Sequence, residues 1–567
     1  MKTRQQAFDQ IALEQTGDGR FDVCVIGGGA SGASCALDAQ LRGLKTVLVE
    51  AADFASGSST ASTKMAHGGV RYLQEAVTDL DVGQYHLVED ALRERALMLR
   101  NAPYLTRTLE FLVPCFNHFD QLYYGLGMKM YDWISGKSSL LPSRMLTREE
   151  ALFRMPVMQS KGLTGAVAYA DGQFDDARYA VALVETFDGL GGVALNHARV
   201  TAFERRADGI IAAAMATDQI SKQTFRIAAR SFVNATGAFS DVIRQLASAK
   251  ASPRMVPSKG AHILFPLDGF PEKDALLVPK TEDGRVIFAV PWNGLLLVGT
   301  TDTGYTPGEE MVVTREEIEY LLRQLNPYLS SPLRADEVVS GYAGVRPLVS
   351  AKGVKDTKKL IRDDEVEFDA ESGMVSVLGG KWTTHRLMGE ETIDKVQEYL
   401  GGPTTPSRTV EYPLSGSADY RWDYWETLSS EFRLRAATAQ HLAHKYGTSA
   451  PSVVKMAESD TSLALPLVRG EAPIRAQVVY AARNEMAVTV EDVLARRIGL
   501  QFIGWRVAIR ATPAVAALLG RELGWSAAEE VAAVDQYVAK VNHMLEVAGQ
   551  EPELSPSETG ELVLERR

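Results

Sequence analysis

The chain has 567 residues, too many for one hydrophobic core, so two or more domains are expected. Hydrophobic residues make up 46% and charged residues 23%, an ordinary globular composition. The formal net charge of −12 argues against a nucleic-acid binder, whose affinity rests on a basic face, but leaves an anionic substrate open, because a few local arginines set the field of a pocket.

Met1 to Arg20 is polar and of mixed charge, without the apolar centre of a secretory signal. No run reaches the roughly 18 apolar residues that span a bilayer. A cytoplasmic protein that does not cross a membrane as a helix is expected; lying on one stays open.

Asp22-Val23-Cys24-Val25-Ile26 reads as a buried strand and runs into Gly27-Gly28-Gly29-Ala30-Ser31-Gly32. A small-residue helix follows to about Arg42, then a second strand, Thr46–Val49, ending on Glu50. This is the dinucleotide fingerprint in its required context. Gly27 allows the tight turn, Gly29 lets the backbone approach a pyrophosphate, and Gly32 lets helix and strand pack closely. Glu50, 18 residues after Gly32, can accept from a ribose hydroxyl. The fingerprint alone does not choose between NAD and FAD.

Val82 to Leu105 reads as a polar helix, Tyr123 to Ile134 is apolar and aromatic, and Gly165 to Ala170 begins a strand. Arg230 to Gly237 is a strand ending in small residues, of the kind that returns beside the fingerprint. From Ser258 to Thr303 the alternation is that of antiparallel strands. Gly401 to Ser417, rich in Gly, Pro, Ser and Thr, reads as a linker. Helices follow, with capping-box starts at Thr489 and Ser526, and Glu551 to Arg567 reads as a polar, frayed tail. Cys24, Cys35 and Cys115 have no metal-ligand spacing and are expected buried and reduced.

After the fingerprint come Ser56-Gly57-Ser58-Ser59, Ser62-Thr63-Lys64 and His67-Gly68-Gly69-Val70-Arg71-Tyr72-Leu73. Further on stand Lys259-Gly260-Ala261-His262, Asp283 to Phe288, Gly299 to Thr303, Gly344 to Leu348 and Gly379 to Thr384. In this order they closely resemble the FAD-dependent glycerol-3-phosphate dehydrogenases, in the branch that includes the mitochondrial enzyme, without its EF-hand extension. The resemblance implies an α/β plus all-α protein. A Rossmann-like FAD-binding domain (21–400) would be interleaved with an antiparallel-sheet cap (roughly 85–170 and 256–340). A linker (401–418), a helical domain (419–550) and a flexible tail would follow, with residues 1–20 as an extension. It also implies noncovalent FAD, oxidation of sn-glycerol 3-phosphate by hydride transfer from C2 to flavin N5, electron delivery to a membrane quinone, and peripheral attachment to the inner face of the cell membrane. A homodimer is compatible with the sequence.

The resemblance assigns FAD to Gly27, Gly29, Gly32, Glu50, Ser58, Ser59, Ser62, Thr63, Lys64, His67, Gly68, Gly237, Gly380, Thr383 and Thr384. A phosphate dianion needs guanidinium donors, for which Arg71 and Arg346 stand out, with a plain salt bridge as their other role. Tyr72 would wall the pocket or serve as a core aromatic. His262 suits the base for the C2 hydroxyl, though a strand can also bury a histidine as a hydrogen-bonded core residue. Lys381, after two glycines, would reach the flavin and substrate or face solvent, and it or Arg346 could share the base role. Thr383 and Thr384 suit a helix start, and His67 either touches flavin or satisfies a turn. Thr60, Ala61 and His385 depart from the family's serine, arginine and tyrosine. Leu122 to Ile134 is the candidate membrane patch, with a buried helix slightly favoured over it. Arg496-Arg497 would face lipid or pair with the flavin domain. The closest alternative function is an oxidase returning electrons to oxygen. An amine oxidase or a flavin-binding scaffold without turnover is more distant.

Overall fold

Strand Phe21–Ile26, almost wholly buried, stands between two parallel neighbours, Thr46–Val49 and Thr224–Asn234. Burial on both faces explains why the sequence reads as an apolar run rather than an alternation. In the computed structural model, residues 1–15, 19–69, 82–350 and 364–553 are described, with 82–84 as backbone only. The first sheet continues outward through Met374–Gly379 to Asp364–Asp369 on one side and to Val193–Leu195 on the other. Helices Ala30–Leu41, Asp176–Gly189 and His385–Leu400 cover it. This is the expected nucleotide-binding half.

The second sheet is mixed. Strand Ser258–Pro266 pairs antiparallel with both Leu295–Gly299 and Ser340–Arg346, which sets His262 opposite Tyr342 and opposite Gly299. The sheet runs on through Ile287–Trp292 and Asp274–Val278 to Thr106–Cys115 and Gly165–Phe174. Its far end pairs with Met65–Ala66, so the cap grows directly from the loop after the fingerprint.

The remaining chain is helical to Val547, as expected, and its core is continuous with that of the cap. Ser526 opens the last helix with a full capping box. Thr489 also exchanges hydrogen bonds with Asp492, but the segment it opens, Asp492–Arg497, has π-helical bonding. Residues 401–418 do not behave as a free tether. Ser407 Oγ donates to Asp38 Oδ1 (2.6 Å), Asn101 Nδ2 to the Thr409 carbonyl (3.2 Å), and Tyr104 Oη to the Ser415 carbonyl (2.7 Å). The polar composition that reads as a linker is used to bind a strap across the flavin half. The N-terminal segment forms helix Arg4–Leu13 behind a Thr3–Gln6 capping box and buries Ala7 and Ile11. All three cysteines are buried and unpaired.

Candidate active site

The nucleotide cradle begins at Gly27, whose φ of 110° and approach to Ala235 leave no room for a side chain: a Cβ there would lie 2.6 Å from the Ala235 carbonyl oxygen. At Gly32 a Cβ would lie 1.8 Å from the Gly27 carbonyl oxygen, so helix and strand pack at backbone contact. Gly29 is the N-cap of helix Ala30–Leu41 and supplies no side-chain cap. Ser59 Oγ accepts from the Ala30 amide (2.9 Å), and among the described residues nothing accepts from the amides of Ser31 or Gly32. Unclaimed amides at a helix N-terminus suit a pyrophosphate. Glu50 accepts from the Gly28 amide (2.6 Å) and the Ala52 amide (2.9 Å), which fixes its carboxylate at the mouth of the cradle. Gly237 borders open space, with nothing within 4 Å of a Cβ built on it. These residues fit a dinucleotide such as FAD.

The Ser/Thr-rich loop is tied down by its own side chains. Ser58 Oγ donates to the Val345 carbonyl (2.5 Å). Ser62 donates to Asp176 from both its amide (3.1 Å) and its hydroxyl (2.7 Å). Lys64 Nζ donates to Asp176 Oδ1 (2.5 Å) and to the Thr60 carbonyl (2.6 Å), and the residue is 1% exposed. The side chains of Ser62 and Lys64 therefore hold the loop together. A buried ammonium requires a counter-charge, and Asp176, at the start of a covering helix, supplies it. Sequence reading missed Asp176, although the Asp175-Asp176 pair before an Ala/Val-rich helix was its signal. Ala61 meets Gly344 so closely that a Cβ on Gly344 would lie 2.7 Å from the Ala61 carbonyl oxygen.

His262 lies on the cap strand, 3% exposed, with Nε2 2.9 Å from Thr63 Oγ1. Nδ1 is buried and makes no hydrogen bond. Burial first, then the Arg346 guanidinium and the Lys64 ammonium, hold its pKa well below the usual 6.5, so the ring is neutral. Thr63, expected at the cofactor, thus also meets the imidazole. Arg346 lies across Gly260 on the same face of the sheet; a Cβ on Gly260 would come within 2.5 Å of Nη2. Arg346 Nη2 donates to Thr300 Oγ1 (3.0 Å) and the Thr301 carbonyl (2.9 Å), and Nη1 to Asp302 Oδ1 (3.3 Å). Asp302 also pairs with Arg285 and accepts from Ser258 Oγ. Neither Asp302 nor Arg285 was singled out in the sequence. Their roles appear only when Gly299–Thr303 is brought against Ser258–Gly260.

Gly380 (φ 90°) precedes Lys381, the N-cap of the single turn Trp382–Thr384. Thr383 Oγ1 accepts from the His67 amide (3.3 Å), tying this turn to the distant loop after the fingerprint, and Thr384 Oγ1 donates back to the Lys381 carbonyl (3.3 Å). His67 Nδ1 accepts from the Gly69 amide (3.0 Å), a turn contact. Gly68 donates to Tyr131 Oη (2.8 Å), and Tyr131 Oη donates to buried Asp171 (2.9 Å), which Arg95 also holds (2.6 Å). Arg71 and Tyr72 lie outside the described residues. His385 packs between helices with Nδ1 2.6 Å from Ser34 Oγ, and burial holds its pKa down at about 3.

Helix His118–Ser135 buries Gly125, Met128, Tyr131 and Ile134. Its other face is bare: Phe119 is 75% exposed, Leu122 63%, Leu126 64% and Trp133 74%. That corrects the preference for a wholly buried helix. Met145, packed against Gly125, extends the patch, and the side chains of Lys129 and Arg144 lie exposed near it. Among the described residues no helix is long and apolar enough to cross a membrane. Arg496 and Arg497, by contrast, are buried in ion pairs with Asp53 of the flavin half and do not face lipid.

Residues 22–394 match the FAD dependent oxidoreductase family, and residues 407–530 match the C-terminal domain of alpha-glycerophosphate oxidase. The mouse protein named glycerol-3-phosphate dehydrogenase, mitochondrial, is 40% identical over 518 residues, covering 89% of this chain and 71% of that one. An Arabidopsis thaliana mitochondrial glycerol-3-phosphate dehydrogenase is 37% identical over 92% of this chain and 86% of its own length. The solved structure of the glycerol-3-phosphate dehydrogenase from Bacillus halodurans, complexed with FAD, is 28% identical with a TM-score of 0.78, covering 96% of this chain and 98% of that one.

Proposed function

The chain belongs to the FAD-dependent oxidoreductases, in the family of the mitochondrial glycerol-3-phosphate dehydrogenases, and from this premise we propose that it oxidises sn-glycerol 3-phosphate to dihydroxyacetone phosphate. The observation that carries the reading is a neutral His262 and a braced Arg346 on neighbouring antiparallel strands, both beside the loop that follows the fingerprint. FAD, when bound, supplies the acceptor for the hydride that leaves C2. Gly29, the amides of Ser31 and Gly32, and Glu50 would hold its pyrophosphate and ribose. His262 takes the C2 hydroxyl proton at Nε2, where Thr63 Oγ1 marks a hydrogen-bonding position 2.9 Å away. Loss of that proton with the C2 hydride leaves the carbonyl of the product. Arg346, fixed from behind by Thr300, Thr301 and Asp302, presents charge to the phosphate, and Arg71 is the second arginine for it.

Arg346→Gln is expected to raise KM for sn-glycerol 3-phosphate about tenfold to a hundredfold, the range for losing a charged hydrogen bond. Steady-state kinetics check this; an unchanged KM would return Arg346 to a structural role.

Electrons pass onward to a quinone, and the bare face of helix His118–Ser135 rests on the membrane. Exposed Phe119, Leu122, Leu126 and Trp133 with neighbouring cations fit an interface better than bulk water. Leu126→Glu together with Trp133→Glu is expected to reduce co-sedimentation with anionic phospholipid vesicles at least about tenfold. Unaltered sedimentation would place the contact elsewhere.

The test of the whole reading is an anaerobic absorbance spectrum before and after adding sn-glycerol 3-phosphate. Flavin bands that bleach, recover with a quinone analogue and recover only slowly in air support the dehydrogenase. Fast recovery in air with peroxide supports the oxidase. Bands unchanged at saturating substrate sink the substrate assignment.

A further inference from the structure

We infer that the C-terminal helical domain helps to build the reaction centre: Phe502, acting through Tyr342 and the buried Lys64, is a positioning residue for His262. The inference rests on the reading of His262 as the base.

The short helix Leu500–Ile503 docks on the strand that carries Tyr342 and Arg346. Ser340 Oγ donates to the Gln501 carbonyl (2.8 Å), and the Trp505 amide donates to the Val339 carbonyl (3.1 Å). That contact drives Phe502, 5% exposed, edge-on against Tyr342, with ring centroids 5.1 Å apart at 82°. Tyr342 stands directly across the antiparallel pair from His262, its ring stacked on the imidazole at 5.0 Å and 20°. Tyr342 Oη also donates to the Ser62 carbonyl (2.7 Å), next to Thr63, which bonds His262 Nε2. Tyr342 therefore backs the imidazole on one face and holds the loop that meets its reactive nitrogen.

Lys64 completes the wedge. Its Nζ lies 4.8 Å from the ring centroids of both Tyr342 and Phe502 and 5.2 Å from that of Trp292, while Asp176 supplies the counter-charge. An ammonium removed from water needs these π faces as well as its carboxylate. One wall of the cage belongs to the C-terminal domain. Taking that ring away loosens Lys64 and Tyr342 together, and the imidazole loses its backing. Arg346 is braced independently by Thr300, Thr301 and Asp302, so phosphate binding is spared. The cations facing His262 are Lys64 from the loop and Arg346 from the neighbouring strand, and both favour its neutral form.

The test uses the full-length, FAD-loaded protein. Phe502→Leu keeps the apolar bulk and removes the ring; Phe502→Tyr keeps the ring. Rapid-mixing reduction by sn-glycerol 3-phosphate is expected to slow about fivefold to tenfold in Phe502→Leu, with half-saturation and FAD content within about twofold of wild type, and to recover in Phe502→Tyr. In a His262→Asn background, Phe502→Leu should add less than about a twofold change. An unchanged maximal rate in Phe502→Leu, the same fold loss in the His262→Asn background, or a loss that follows FAD content overturns the inference. If His262→Asn alone reduces at the wild-type rate, the base reading falls and this one with it. If His262→Asn is slow while Phe502→Leu is fast, only the role of Phe502 falls.

Discussion

His262→Asn is expected to slow reduction of bound FAD by sn-glycerol 3-phosphate ~10²–10⁴-fold, the range over which a positioned general base acts. FAD content and substrate half-saturation should change little, since the asparagine amide can still bond Thr63 and Arg346 keeps its own anchors. The pH dependence follows from the direction of the pKa shift. Burial, Arg346 and Lys64 depress the imidazole pKa well below 6.5, so the proton-accepting form persists as pH falls through that value. The acid limb of kcat/KM should therefore lie below the ordinary histidine range. Wild-type reduction rates in His262→Asn would pass the proton to another group, with Lys381 the first to examine. An acid limb at the ordinary histidine value, present in wild type and absent in the variant, would keep His262 as the base but show that substrate rehydrates or recharges its surroundings.

The parts of this arrangement that were readable in the chain are those whose signal is local. Gly27, Gly29, Gly32 and Glu50 announce themselves by spacing between two apolar runs, and the structure realises that spacing as one strand–helix–strand unit. The alternation in Ala261–Phe265 identifies a strand for the same reason. What stayed hidden needs two distant segments in contact. Asp176 looks like a helix-start acid until Lys64 is seen against it, and Asp302 looks like part of a turn until Arg346 and Arg285 converge on it. Tyr131 was read inside an aromatic stretch, with no sign that its hydroxyl would receive the Gly68 amide. For its helix the sequence left an exposed patch and a buried helix both open, because apolar residues on both faces suit burial and only tertiary packing shows which face has a partner. The strap at 401–418 misled for the opposite reason: its carbonyls and hydroxyls are satisfied by Arg100, Asn101, Tyr104 and Asp38, groups a composition cannot reveal.

Asp53→Ala is expected to destabilise the protein by about 3–5 kcal/mol, the cost of stranding a buried charge, out of a typical total of about 5–15 kcal/mol. Asp53 is fully buried at the seam between the flavin half and the C-terminal domain. Its Oδ2 accepts from Arg496 Nε (2.5 Å) and Arg497 Nη1 (2.7 Å), and its Oδ1 from Arg497 Nη2 (2.8 Å) and Asn196 Nδ2 (2.8 Å). Asp492 and the Glu485 carbonyl take further guanidinium donors, but Arg497 itself is 0% exposed and has no route to water. Removing the carboxylate leaves cations that must either stay unpaired or pull the domains apart. The second course is the cheaper one, so the variant should be cut by protease near residues 401–424 under conditions where the wild type resists, and should lose FAD more readily. Acid acts on the same seam with a defined sign. Burial raises the pKa of Asp53, but Arg497 and Arg496 outweigh it and the value ends below 3.8; Asp492 is held down in the same way by His197 and both arginines. Depressed carboxylate pKa values give stability that is present above 3.8 and lost as pH falls through the folded values. The seam should hold through mild acid in the wild type, while Asp53→Ala should already be open at neutral pH. Wild-type protease resistance and unfolding midpoint in that variant would mean that Glu485 and Asp492 alone neutralise the two arginines.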